Sequence, residues 1–102
     1  MILNRVVSFT VTEDEQPRTY RMSITKDAEW FVWSRTMVSG DEWGLRLDSG
    51  DVNAYCHVVW MALWTHHRDE FPTIEEAAAF IDRHGWSPAF LDAWRDLFTI
   101  VH

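Results

Sequence analysis

Seven tryptophans, six phenylalanines and two tyrosines are spread through a chain of only 102 residues. Each such ring removes about 150–250 Å² from water when it is enclosed. A chain of this length forms one domain and buries roughly two-thirds of the surface its unfolded form exposes. So many large rings crowd so small an interior, and several are expected at its edge, where protein interfaces favour aromatic side chains. The rest of the composition is ordinary: 47% hydrophobic and 25% charged residues exclude a disordered or collagen-like chain.

Charge narrows the partners. Nine basic against sixteen acidic residues leave a formal net charge of −7. That balance argues against nucleic acid as a partner, because phosphate binding needs a basic face that releases counterions. The carboxylates are scattered along the chain, as solubility alone requires, although an acidic surface that imitates nucleic acid stays open. The lone cysteine, Cys56, has no internal disulfide partner. The opening MILNRVVSFT alternates like a strand and lacks the layout of a signal peptide. The longest apolar run, Val58 to Trp64, is far too short to span a bilayer. These features imply a cytoplasmic, soluble protein with no membrane partner.

Period-two alternation runs through Leu3, Val7, Phe9 and Val11, with Arg5 as the exception, and resumes at Tyr20, Met22 and Ile24. Glu13 to Pro17 between them reads as a turn. Residues 1–25 therefore predict an antiparallel β-hairpin, which needs helices against one face to be stable. Over residues 27–37, Asp27 as N-cap with Ala28 and Glu29 in the first turn favours helix over strand. Ser39-Gly40-Asp41-Glu42 reads as a breaker, and Trp43 to Ser49 as a connector with a short extended piece around Leu45 and Leu47. Asp51 then caps a central helix over 51–67 that is apolar on nearly every side, so neighbours or a partner must wrap it. Thr73 and Glu76 form a capping box for a helix over 74–84, closed by Gly85. Ser87 and Pro88 start a final helix over 88–101. The fold class that follows is α+β: a single domain with an N-terminal antiparallel β-hairpin packed on three to four α-helices.

Chemistry-bearing patterns are sparse. A metal site would draw on His66, His67 and Glu70 with Cys56 or His57, yet His66 and His67 point about 100° apart on a helix and the i, i+4 histidine pair of a zinc helix is missing. Cys56 lies on an apolar stripe, where a thiol is unactivated. No glycine-flanked serine elbow, dinucleotide fingerprint or phosphate loop is present. Asp92 and Asp96 fall on the polar side of the last helix and read as solvated. The expectation is a protein that is not an enzyme, with no catalytic residues, metal or cofactor. Trp60, Trp64 and Trp94, at helical spacing, read as core. Trp86 sits on a connector, and Trp30, Trp33 and Trp43 precede the central helix; these four are the candidate partner-binding residues.

The order of elements resembles a family. A hairpin leads into the Asp-initiated segment DAEWFVWSRTM with Trp33 and Arg35, then a connector with Trp43, then AYCHVVWMALWTHHR and the Thr-started TIEEAAAFI. This is similar to the tail assembly chaperones of long-tailed phages and prophages, especially the actinobacterial type, over roughly residues 5–82. The end of the central helix, Trp64 to Arg68, departs from the family's pattern, and the last helix has no counterpart in it. The resemblance implies a non-enzymatic chaperone in a bacterial host that coats a helical tape-measure protein and recruits tail-tube subunits, with a longer frameshifted product extending the chain. Two readings from other classes stand beside it. One is an acidic counter-defence inhibitor that occupies a nucleic-acid site; the other is a homo-oligomer that uses the central helix as its interface.

Overall fold

A computed structural model describes residues 3–98 of the chain. Strands β1 (Leu3–Glu13) and β2 (Gln16–Ile24) are followed by helices α1 (Lys26–Thr36), α2 (Gly40–Asp48), α3 (Val52–Trp64), α4 (Ile74–His84) and α5 (Pro88–Leu97). The α+β class and the N-terminal antiparallel hairpin are as the sequence predicts; the described residues form five helices. Residues 99–101, the end of the expected final helix, lie outside the described residues.

The hairpin turn is tighter than the expected five-residue segment. Glu13 pairs with Gln16, so only Asp14 and Glu15 form the loop, and both adopt left-handed backbone angles (φ 52° and 64°). This matches a type I′ turn, whose twist suits the flanking strands. Pro17 stands opposite Thr12, one pair beyond the turn-flanking pair. That is a non-hydrogen-bonded position in such a hairpin, so the missing N–H costs the ladder nothing. Arg5, the residue that breaks the alternation, falls in a bulge. β1 advances from Leu3 to Val7 while its partner moves only from Ile24 to Met22, which turns Arg5 and Val6 out to solvent.

One face of the hairpin lies on helices, β1 against α5 and β2 against α3. Phe9 stacks on Tyr20 with ring centroids 5.5 Å apart and meets Phe80 and Phe90 edge-on at 6.2 and 5.5 Å. These rings, with Phe71, are buried in the contact between the hairpin and the helices. The outer edge of β2 is closed by the residues just after α3. The Arg21 backbone N–H donates to His67 Nε2 (2.9 Å), Ser23 Oγ bonds His66 Nε2 (3.1 Å), and Thr25 Oγ1 bonds Thr65 Oγ1 (2.8 Å). Three consecutive residues thus occupy alternate positions along an edge that would otherwise invite another strand.

Two local readings of the helices are corrected. Thr25, not Asp27, caps α1: its side chain accepts from the Ala28 N–H, and Asp27 falls in the first turn, where its charge still suits the helix dipole. The stretch expected as a breaker and connector is α2. Ser39 caps it by accepting from the Glu42 N–H (3.2 Å), Asp41 and Glu42 occupy its first turn, and Trp43 and Leu47 are buried one turn apart. Gly40 breaks nothing. It permits close approach, since a Cβ there would sit 2.8 Å from Glu29 Oε1 and 3.2 Å from Met61 Sδ. The caps read for α3, α4 and α5 are present. Asp51 accepts from the Asn53 and Ala54 N–H groups, Glu76 reaches back to the Thr73 N–H (3.0 Å), and Ser87 accepts from the Phe90 N–H.

Burial lowers the proton affinity of His66 below the ordinary 6.5, helped by the positive charge of Arg21 and by His67. The unfolded chain therefore takes up this proton first as pH falls. The stabilisation is complete above 6.5 and is lost as pH drops through the lower folded-state value. Thermal unfolding followed against pH is expected to show a midpoint that falls below pH 6.5, and His66→Gln, which keeps a hydrogen bond to Ser23 but cannot titrate, is expected to flatten that slope. Independently, Glu15→Gly removes a side chain from a left-handed position and is expected to stabilise the fold by about 1 kcal/mol in urea unfolding.

Candidate functional site

The aromatic rings fall into three groups, of which Phe31 and Trp64 form a half-buried one. Four phenylalanines (Phe9, Phe71, Phe80, Phe90), both tyrosines and Trp43, Trp60 and Trp94 are buried, whereas Trp30, Trp33, Trp86 and Phe98 are exposed. The surplus expected from composition is therefore present, and it is mostly indole. A buried indole usually finds an acceptor for its N–H. Trp60 Nε1 finds the Phe71 carbonyl at 3.0 Å and Trp43 Nε1 finds Thr36 Oγ1 at 3.3 Å.

Trp43 is the correction among the four candidate residues. It is 4% exposed, stacked on His57 at 4.2 Å with ring planes 2° apart, and covered by the Arg46 guanidinium. The helical geometry of α2 turns it into the core against α3, so no partner can reach it. Trp86 is 44% exposed, but one ring face is taken: it lies flat on Tyr55 at 4.4 Å and 6°. The Tyr55 hydroxyl donates to the Gly85 carbonyl (2.9 Å) and accepts from the Ser87 N–H (3.0 Å). Trp86 is thus a lid on the pin between α4 and α5, with its outer face free.

Trp30 and Trp33 are 59% and 46% exposed. Met37, the C-cap that follows the last turn, is more open still at 70%. At about 100° per residue Trp30 and Trp33 fall about 60° apart on the helix. Met37 takes a left-handed backbone (φ 58°) and its N–H returns to the Trp33 carbonyl at 2.7 Å. That bond ends the helix and leaves Met37 exposed at its C-terminal end. A shallow groove of about 280 Å³ runs alongside, lined by Lys26, Glu29, Trp30, Trp33, Ser39 and Gly40. The sequence reading missed Met37, whose exposure follows from the left-handed cap and carries no local signal. A second groove, of about 470 Å³ between α2 and α5, gathers Leu45, Trp94 and Phe98 between Asp41, Asp48 and Arg95.

The residues weighed for chemistry are placed apart. His66 and His67 hold the β2 edge, and His84 Nε2 lies 2.9 Å from the Glu13 carboxylate. Burial works to raise the Glu13 value, but the Tyr20 hydroxyl at 2.6 Å, His84 and Arg83 outweigh it, so the carboxylate sits below its ordinary range. The same contact, after burial, pushes the Tyr20 phenol up to about 12. Burial also raises the Cys56 thiol, with Glu75 and Asp82 adding to it, and Sγ points at the Ile74 carbonyl. A thiol held protonated is a poor nucleophile. Among the described residues, no three His, Cys, Asp or Glu side chains converge as a metal site would need, and no helix is long and apolar enough to cross a membrane.

In comparisons with known proteins, the chain matches no family model, no curated protein and no solved structure. The site is therefore read from its own geometry. Trp43→Ala is expected to destabilise the fold by about 3–5 kcal/mol in chemical unfolding, as a core residue does, which separates it from the exposed tryptophans of α1.

Proposed function

We propose that the protein is a non-enzymatic binding domain that shields an apolar helical stretch of another protein on the Trp30–Trp33 face of α1, with Met37 at its C-cap. The observation that carries this reading is that two indoles on adjacent turns of α1, with the Met37 thioether at its C-cap, stand open to solvent. Tryptophan supplies large, rigid contact area at interfaces, and methionine adapts to varied apolar partners. The helix-in-groove mode suits such a partner, its anchors recurring at i, i+3 or i+4 and i+7. Net charge of −7 keeps a complex of this kind soluble.

The specific role we propose is that of a phage or prophage tail assembly chaperone, with a tape-measure protein as the helical client and tail-tube subunits as second partners. The order of elements supports it, with a hairpin, then the Trp33- and Arg35-bearing α1, then an apolar central helix and the Thr-capped α4. A tape-measure protein presents long apolar helical stripes that need cover until the tube forms around them, and the α1 face offers such cover.

The test is capture of a co-expressed tape-measure fragment by the tagged protein. Trp30→Ala with Trp33→Ala is expected to weaken capture by at least about tenfold, since interface tryptophans often contribute about 2 kcal/mol each. Because both rings are exposed, the thermal midpoint is expected to stay near that of the parent. Undiminished capture by the folded double variant would overturn the assignment of this face.

A further inference from the structure

A third cavity, on the other side of α1, combines charge, a free polar atom and an apolar wall. It encloses about 350 Å³ and is lined by Val32, Arg35 and Thr36 of α1, His57 and Trp60 of α3, and Ile74 at the start of α4. That volume lies in the range of small-molecule sites, which pair an apolar lining with a few placed polar groups. Val32 and Trp60 are buried and Ile74 half-buried, so this wall is apolar and set by the core.

The polar groups are constrained. His57 Nδ1 lies 2.8 Å from the Asn53 carbonyl, an atom that can only accept, so the proton sits on Nδ1. Nε2 is then left as an acceptor, with no protein partner among the described residues. The imidazole cannot swing freely, because it lies flat on the buried Trp43. The Thr36 hydroxyl is already engaged, donating to the Val32 carbonyl at 2.7 Å and accepting from Trp43 Nε1. Arg35 stands exposed at the edge of the cavity; the exposed Glu75 carboxylate, held below its ordinary range first by the Thr73 side chain, also feels the Arg35 charge.

We propose that this cavity binds a small carboxylic acid with an apolar body, its carboxylate at the Arg35 guanidinium and a hydroxyl on that body donating to His57 Nε2. A guanidinium is the side chain best suited to a carboxylate, with paired donors that match its two oxygens. Val32, Trp60 and Ile74 take the apolar body. The inference does not rest on the client-binding face, which is carried by other residues of α1.

The experiment is a titration of the 15N-labelled protein with 4-hydroxyphenylacetate, followed by amide shifts in α1 and α3. Saturable binding with a Kd on the order of 1 mM is expected for a ligand of this size. Replacing the acid with 4-hydroxyphenylacetamide, or the protein with Arg35→Gln, is expected to weaken binding at least about tenfold. Glu75→Gln, which removes the competing carboxylate, is expected to tighten it about twofold to threefold. Both positions are exposed, so both variants keep the fold. No saturation, equal binding of acid and amide, or indifference to Arg35→Gln would overturn the site. Phenylacetate, which lacks the hydroxyl, is expected to bind about fivefold more weakly, and equal affinity would overturn the role given to His57.

Discussion

Helix α3 is apolar on nearly every side, and the rest of the molecule is arranged to take it out of water. Ala54, Tyr55, Val58, Val59, Trp60, Met61, Ala62 and Leu63 are all buried, which no single neighbour could achieve. β2, α1, α2 and α4 each pack on it. Burial of a Val or Leu side chain contributes about 1.5–3 kcal/mol, so a helix of this composition cannot stand partly uncovered. Its two ends also organise the polar contacts. At one end Tyr55 pins the link between α4 and α5; beyond the other, Thr65, His66 and His67 fasten the edge of β2.

The aromatic rings differ in their polar atoms. A phenyl ring needs only apolar neighbours, and four of the six phenylalanines fill the contact between the hairpin and α4 and α5. Four of the five buried phenols and indoles bring a polar partner with them. Tyr20 uses Glu13, Tyr55 uses the backbone at Gly85 and Ser87, Trp60 uses the Phe71 carbonyl, and Trp43 uses Thr36. Trp30, Trp33 and Trp86 remain outside. Two of them, Trp30 and Trp33, lie on adjacent turns of α1, which makes that helix a candidate docking surface.

Helix α1 consequently presents different chemistry on different sides. Ala28 and Val32 face the core. Trp30 and Trp33 border an open groove on one flank, with Met37 exposed at the C-cap, while Arg35 and Thr36 border a half-open cavity on the other side. The open flank is the proposed client-binding face, and the cavity is the proposed small-molecule site. Both sites are built on a helix held by the core, so neither depends on a loop to fold around its ligand.

Much of the architecture is local and was readable residue by residue. Alternation marked both strands. Side-chain caps at Asp51, Thr73 and Ser87 marked three helix starts, and the unbroken apolar character of 52–64 marked the central helix. Each of these signals acts within a few residues of itself, so one dimension is enough to see it. What escaped was decided by distant neighbours. Gly40 reads as a breaker until Glu29 and Met61 are seen crowding it, and Trp43 reads as a free ring until α3 brings His57 flat against it. Composition determined that some indoles must stay outside the core, because ring area exceeds what a domain of this size can enclose. Which ones stay outside was decided by how the helices pack: α2 and α3 turn Trp43 and Trp60 inward, whereas α1 buries Ala28 and Val32 and leaves Trp30 and Trp33 open, and that arrangement exists only once the chain is folded.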